Sequence, residues 1–464
     1  MAGKNVLKVS SNAELLSYII NQNPILSAEI DLPVQGQDIR PIGKLIMDNE
    51  RYRNAFINTV NVIGLTVIKR NRWENPWNFT VRGTLTRGQT IREIILDLCN
   101  VHSYNENVNN VTKFLETEVP QVLNYLHNIN FQVYYQTTTS DEQLAMAFET
   151  EGGLLTFIEE SVSMLWESKV YDEYIIDKYM LCRRILDGTM TSIEIEGFDT
   201  KTARERVSDM KSIANKMSFR SPNYNPAAIR RATSFDNQMF ILNTDFEAAM
   251  STEVLATSFF RDDADFKSRA VLCDGFGNHD VERLAEVLKE QYVPFTLEEL
   301  QALSNVPAVI ISREWFMDYY YGMDNSSVGK QTEFYNPTTL KNNHYLHIWG
   351  IKSTSPFENG VVFTAGVAPS VTAVSVSPSE SSLSAGLSLQ LTATVTTTGF
   401  ANKAVTWSIT KGAEDGKAKI NESGLLTISK DYPASKDPST PQIEVTATSI
   451  YNNTVTGKAT ITVL

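Results

Sequence analysis

The sequence predicts two fold classes in one chain: an α+β body over residues 1–367 and an all-β antiparallel sandwich over residues 368–464. Three observations carry this. Before Pro369, apolar stripes at helical spacing alternate irregularly with isolated strand-like runs, a pattern of α+β folds and not of a regular βαβ series. After Pro369, Leu387, Leu389, Leu391, Ala393 and Val395 alternate with polar residues, as do Ala459, Ile461 and Val463, which is the period of a half-buried strand. The composition changes abruptly at "GVAPSVTAV". A chain of 464 residues also exceeds what one ordinary core accommodates.

Taken in order, "GKLIMDNERYRNAFINTVNVIG" spaces Leu45, Ile46, Phe56, Ile57, Val60 and Ile63 for a helix over 44–63, with Gly64 ending it. Residues 65–92 break that period with two strand-like pieces around Asn75-Pro76. They concentrate Lys69, Arg70, Arg72, Arg82, Arg87 and Arg92 beside Trp73, Trp77 and Phe79, against only Glu74 and Glu93. A run of charge is ordinarily a solvated face. Within an acidic body, however, a projecting β-hairpin with a cationic face is complementary to an identical neighbour, so these six cations are the intersubunit candidates.

"NFQVYYQTT" reads as a strand, and Ser140 with Gln143 as a capping box opening a helix. Gly152-Gly153 interrupts it. From Leu154 to Leu186 apolar residues recur at helical spacing, giving a long spine helix. A further helix is expected over 202–217 with Ala203, Val207, Met210, Ala214 and Met217 on one stripe. "MFILN" and "PAVIIS" are strands covered on both faces, with short helices near 281–291 and 297–303 between them. In the tail, Gly386, Gly399 and Gly424 mark turns.

The search for chemistry yields no catalytic, cofactor-binding or metal-ligating set. Cys99, Cys182 and Cys273 lack CxxC spacing and are expected as buried small hydrophobes. His344 and His347 in "NNHYLHIWG" have no third ligand at a recognised spacing, so a packed strand is the better reading. "DGFGNHD" lacks the third glycine of a dinucleotide loop and reads as a turn. "GMDNSSVGKQT" has Gln331 where a phosphate loop needs Ser or Thr. Asp262, Asp263 and Asp265 lack the glycine and glutamate of a calcium loop. The aromatics of "SREWFMDYYYGMD" are expected in packing, since Glu314, Asp318 and Asp324 oppose a phosphate backbone.

Net charge is −13. From Ser370 onward seven acids balance seven lysines, so the excess acid lies in the body. That argues against a grip on nucleic acid, which comes mainly from Lys and Arg on phosphates. No apolar run is long enough to cross a bilayer, and "MAGKNVLKVSSNAELL" has no apolar signal core.

"NVIGLTVIKRN", "RGTLTRGQTIREIILDL", "YYQTTTSDEQLAMAF", "VPAVIISREWFMDYYY" and "HYLHIWGIKSTSPFENGVVFTAG" follow one another over residues 44–367. In that order they resemble the major capsid proteins of phi 29-like short-tailed bacteriophages. "VTAVSVSPSESSLSAGLSLQLTATV", "NKAVTWSIT", "INESGLLTIS" and "ITVL" resemble the group 2 bacterial immunoglobulin-like domain, with Trp407 at its core tryptophan.

The resemblance implies the tailed-phage (Hong Kong 97-type) capsid fold. It assigns 1–63 to an N-terminal arm and helix, 64–138 to an extended loop and its strands, and 139–234 to the spine helix and peripheral domain. Residues 235–340 would be the axial domain and 341–367 return strands of the peripheral domain. It implies a virion subunit that assembles in the host cytoplasm into pentamers and hexamers of an icosahedral or prolate head. Scaffolding protein, portal and non-specifically contacted double-stranded DNA would be its partners, with an outward-facing sandwich able to touch a host surface. It implies no enzyme, no cofactor and no membrane. The rival class is a cell-surface adhesin.

Overall fold

The computed structural model describes residues 12–33, 38–56, 59, 73–86, 89–96, 98–99, 122–140, 153–253, 269–322, 329–339, 341–412, 416–433 and 443–464. Its axis is one helix, Gly153–Leu186, of 34 residues, about 51 Å long at 1.5 Å per residue. From Asp172 to Tyr179 every side chain on this helix is buried. A helix buried all round must be covered on more than one side, and here two sheets cover it.

The first sheet orders Val81–Leu85, Asp318–Tyr321, Lys341–Ile351 and Lys330–Asn336, with Phe131–Ser140 on the remaining edge of Lys341–Ile351. Lys341–Ile351 alternates cleanly between buried and half-exposed positions, as a pleated strand with one covered face must. Its Leu346 and Ile348 pack with Phe131, Tyr135, Tyr320 and the spine's Leu165 and Ile176.

The second sheet orders Thr191–Ile195, Gly360–Ala365, Ala308–Ser312, Gln238–Asn243 and Ala270–Cys273. The two apolar runs read as doubly covered strands are its centre, and successive residues face opposite layers. Met239, Ile241, Val309, Ile311 and Val362 meet the spine helix. Phe240, Leu242, Ala308, Ile310, Val361 and Phe363 meet the helix Ala203–Met217 through the expected stripe. Thr202 and Glu205 close a capping box on that helix, and Thr296 and Glu299 close another on Leu297–Ser304.

These sheets cut across the boundaries expected at 234 and 340. Thr191–Ile195 and Gly360–Ala365 join the sheet built on the 235–340 strands, while Asp318–Tyr321 and Lys330–Asn336 join the other. Strand partners are long-range choices that adjacency in sequence does not reveal.

The N-terminal region also departs from expectation. Instead of an arm and one helix over 44–63, there are helices Asn12–Gln22, Pro24–Glu29 and Arg40–Asp48 and a fourth over 50–56. They enclose a small core of Leu16, Ile19, Ile20, Leu26, Ile46 and Phe56. The break falls at Asn49, which is extended (φ −115°, ψ 114°). Its side-chain oxygen accepts the Arg51 N–H at 3.0 Å, the competing local bond that makes Asn a helix starter and not a helix interior residue. Gly64 and the helix expected after Ser140 lie outside the described residues, as do Asp262, Asp263 and Asp265.

The sandwich begins at Ser370–Ser377, directly after Pro369. One sheet orders Glu380–Leu383, Thr456–Val463, Ile443–Ser449 and Val405–Lys411. A second orders Ser388–Gln390, Leu425–Ile428 and Ala418–Ile420, and Ser370–Ser377 pairs with Thr392–Thr398. Leu391, Leu426, Ile443, Val445, Ile461 and Val463 form the core. Trp407 sits at its edge, half-buried, opposite Ala447. Leu387, expected inside, is exposed. At Gly424 (φ +81°) a Cβ would lie 2.5 Å from the Leu391 carbonyl and 2.9 Å from the Trp407 ring, so this turn requires glycine.

The sandwich is seated on the body and not merely tethered to it. Phe400 enters the core formed by the spine helix and second sheet. Lys403 Nζ donates to the Leu186 carbonyl at 2.7 Å, a cation on the last turn of the spine where the helix dipole favours one. Phe400→Ala should therefore lower the melting temperature of the body while sparing the sandwich core. The expected loss is about 3–5 kcal/mol, measurable as a shift of one calorimetric transition.

Candidate assembly surface

Ile91–Leu96 and Val122–His127 pair antiparallel as a two-stranded ribbon that joins neither large sheet. Register places Arg92, Ile94 and Leu96 on one face with Leu126, Asn124 and Val122 opposite them. That face is exposed: Ile94, Leu96, Val122 and Leu126 have between 49% and 62% of their surface open. Four large apolar side chains in one plane on a two-stranded ribbon, uncovered among the described residues, are a candidate interaction surface. Leu98 and Ile129 extend the apolar character beyond each strand.

The ribbon's base is fixed. His127 is buried, with Nε2 3.1 Å from Glu93 Oε2 and Nδ1 2.9 Å from Ser353 Oγ, and the Tyr125 ring packs edge-on against it at 4.9 Å. Burial raises the Glu93 carboxyl, but hydrogen bonds from His127 and Ser355 and the charges of His127 and Arg82 outweigh it, leaving Glu93 below its ordinary 4.5. A depressed carboxyl contributes stability above its unfolded pKa and loses it as pH falls through the folded value. The protection of the Val122–His127 amides, measured relative to the intrinsic exchange rate at each pH, should fall as pH drops below 4.5.

Of the six candidate cations, the described residues include Arg82 and Arg92; Lys69, Arg70, Arg72 and Arg87 lie outside them. Of the two strand-like pieces expected around Asn75-Pro76, the first lies outside the described residues; in the second, Val81–Leu85 runs parallel to Asp318–Tyr321, and the following strand Ile91–Leu96 pairs with Val122–His127. Arg82 points back into its own chain, 3.9 Å from Glu314 and 3.2 Å from Met317 Sδ. Arg92 Nε donates to Asn124 across the ribbon at 2.7 Å. Trp77 is fully buried against Tyr174 and Phe316, its indole N–H on the Leu272 carbonyl. Trp73 is half-exposed and stacks edge-on against Tyr171 and Tyr174. Both indoles therefore pack on the spine helix within their own subunit.

Sequence reading missed the ribbon's second strand, although "QVLNYLHNINFQVYY" carries two consecutive strand-like runs. It also missed a buried charge cluster at the ribbon's entry. Lys352 Nζ donates to Asp177 Oδ1 at 2.8 Å and to Asp318 Oδ2 at 2.7 Å, and Thr80 Oγ1 donates to Asp177 Oδ2 at 2.7 Å. Tyr320 donates to Glu173, which also pairs with Lys169. Burial, and then the neighbouring Asp177 carboxylate, hold Asp318 well above the usual carboxylate range. Burial lowers Lys352, but Asp177 and Asp318 outweigh it and hold it well above the ordinary lysine value.

The other singled-out residues are structural here. His344 sits between Thr139 and Glu333, and His347 meets Thr332. Trp315, Phe316, Tyr320 and Tyr321 are buried. "DGFGNHD" is a turn pinned to the spine by Lys178 on Asp274 and Tyr171 on Asp280. Cys182 and Cys273 are buried, whereas Cys99 is exposed. Among the described residues no helix is long and apolar enough to cross a membrane.

A body with long paired strands, a rooted ribbon and an apolar face open on that ribbon has the architecture of an assembly subunit. Residues 27–364 match the family described as Phi29-like phage major capsid protein, and residues 370–431 match the bacterial Ig-like domain (group 2). The chain belongs to the phi29-like phage major capsid protein family. The major capsid protein of Bacillus phage PZA is 28% identical over 431 residues, covering 92% of this chain and 86% of that one. That of Bacillus phage B103 is 26% identical over 430 residues, covering 91% and 86%. A chain in the capsid structure of Staphylococcus phage Andhra aligns with a TM-score of 0.48 at 14% identity, over 64% of this chain and 86% of that one. The protein is a structural subunit of a phage capsid, located in the virion, with an α+β capsid body and an Ig-like sandwich at its C-terminal end.

Proposed function

We propose that copies of this chain close an icosahedral or prolate head around double-stranded DNA, and that the exposed ribbon face is covered by a neighbouring copy within pentamers and hexamers. The observation carrying this reading is the open plane of Ile94, Leu96, Val122 and Leu126 on a ribbon whose root is locked by Glu93, His127 and Ser353. A fixed root and an apolar face supply direction and affinity together. Lys69, Arg70, Arg72 and Arg87 supply steering charge in this reading, while Arg82 and Arg92 serve their own subunit.

The sheet built on Ala308–Ser312 and Gln238–Asn243 is assigned to the axial domain, and the sheet built on Lys341–Ile351 to the peripheral domain. The chain turns over no substrate. Its partners are a scaffolding protein, a portal and the packaged DNA, touched non-specifically, and assembly occurs in the host cytoplasm. The sandwich faces outward, where it can meet a host surface; the family gives no support to the adhesin alternative. Purified chain, sized by light scattering and imaged by electron microscopy with and without its scaffolding protein, should form rings or closed shells. Monomers alone under both conditions would refute the reading.

A further inference from the structure

The cluster at the ribbon's entry holds the three groups of an amide-forming site in one dry place. Lys352 Nζ lies within hydrogen-bond reach of two carboxylates, Asp318 at 2.7 Å and Asp177 at 2.8 Å. Lys352 is 4% exposed and both aspartates are 0% exposed. The Tyr320 ring stands 5.7 Å from Nζ and walls off one side. Asp318 Oδ1 is buried with no hydrogen-bond partner among the described atoms. An orphaned carboxyl oxygen in such a site is costly.

We propose that Lys352 and Asp318 condense into an intramolecular isopeptide bond, with Asp177 as the acid–base group that touches the reacting nitrogen. The inference goes beyond the shell-subunit reading and does not depend on it.

The step balances without an added reactant. An ammonium proton passes from Nζ to Asp318 along their hydrogen bond, giving a neutral amine and a neutral acid. Nζ then attacks Cγ, and a C–N bond forms as the carbonyl electrons move to one carboxyl oxygen. Asp177 takes a proton from Nζ and returns one to the departing hydroxyl. The C–O bond breaks, one water leaves, and Asp177 ends in the state in which it began. Nothing is oxidised or reduced. Holding nucleophile and electrophile in contact supplies an effective concentration of about 10⁵–10⁸ M. Condensation removes two buried formal charges and one carboxylate oxygen from a medium that stabilises them poorly. In the product the amide N–H still faces Asp177 Oδ1, and Thr80 still donates to Asp177 Oδ2.

The bond would tie two neighbouring strands of the first sheet, since Tyr319 pairs with Ile351 immediately beside it. A covalent tie there converts a shear-sensitive strand pair against the spine helix into one that cannot slide. Load from within a filled shell is the load such a tie resists.

Full-length chain, free and from assembled particles, is denatured, digested and mass-mapped. A branched peptide joining Asp318 to Lys352, one water lighter than its two linear parts, is the expected result. Asp318→Asn should give the identical branched peptide, because ammonia leaves in place of water. Lys352→Met should give only linear peptides, and Asp177→Leu should slow or abolish branching. Two linear peptides at unmodified mass in wild-type chain from both sources would overturn the proposal. That measurement needs no variant to fold.

Discussion

Ile94→Asp combined with Leu126→Asp should abolish shell formation at concentrations where the wild-type chain assembles, and should leave the subunit's own melting temperature nearly unchanged. The two residues lie diagonally on the exposed face of the ribbon and contribute to no described core. Arg92 stands opposite position 126 and Asn124 opposite position 94, so the new carboxylates meet polar partners and the ribbon itself survives. What is lost is intersubunit burial. Covering a large aliphatic side chain is worth about 1.5–3 kcal/mol, so two of them supply about 3–6 kcal/mol at each contact. Since 1.4 kcal/mol is tenfold in an equilibrium constant, the critical concentration should rise by about a hundredfold or more. Arg92→Glu should do far less, because a rim charge governs encounter rate more than affinity. Light-scattering titration with electron microscopy measures both. Normal head yield from the double variant would remove the ribbon from the assembly surface.

Much of the body is written in local periodicity, and those parts were legible. The spine helix, the helix Ala203–Met217 and the strands around "MFILN" and "PAVIIS" each carry a complete pattern within one window. The sandwich declares itself through alternation and through glycines at positive φ. The errors have a common cause, which is that burial is decided by partners distant in the chain. Trp77 looks like an arm residue in its neighbourhood of cations, yet Tyr174, Phe316 and the Leu272 carbonyl enclose it. Arg82 looks free until Glu314 is brought beside it. Asn49 illustrates the opposite failure: apolar spacing outweighed a single residue whose side chain caps the next helix. The intersubunit candidates are chosen by charge density, whereas the face proposed here lies on the strands Ile91–Leu96 and Val122–His127. Charge density is visible in a sequence, whereas an apolar face that stays exposed is indistinguishable there from one that becomes core.

Lys352→Met should be the most damaging single substitution in the buried cluster, costing about 3–5 kcal/mol by leaving Asp177 and Asp318 without a cation. Asp177→Leu should cost less. It removes the surplus carboxylate and leaves Lys352 matched to Asp318, while Thr80 keeps its other hydrogen bond to the Trp77 carbonyl at 3.0 Å. The triple variant Lys352→Met, Asp177→Leu and Asp318→Leu should recover much of the single variant's loss, because apolar groups of similar volume avoid the desolvation that a buried ion set incurs. This ordering follows from counting charges in a site closed to water. With an amide formed between Lys352 and Asp318, both single changes weaken or remove the tie, and Lys352→Met stays the worst case because it also leaves two buried carboxyls without a cation. Denaturant titration of the four proteins ranks them directly. A triple variant as unstable as Lys352→Met would show that the cluster acts through a bond or a shape and not through its charge balance.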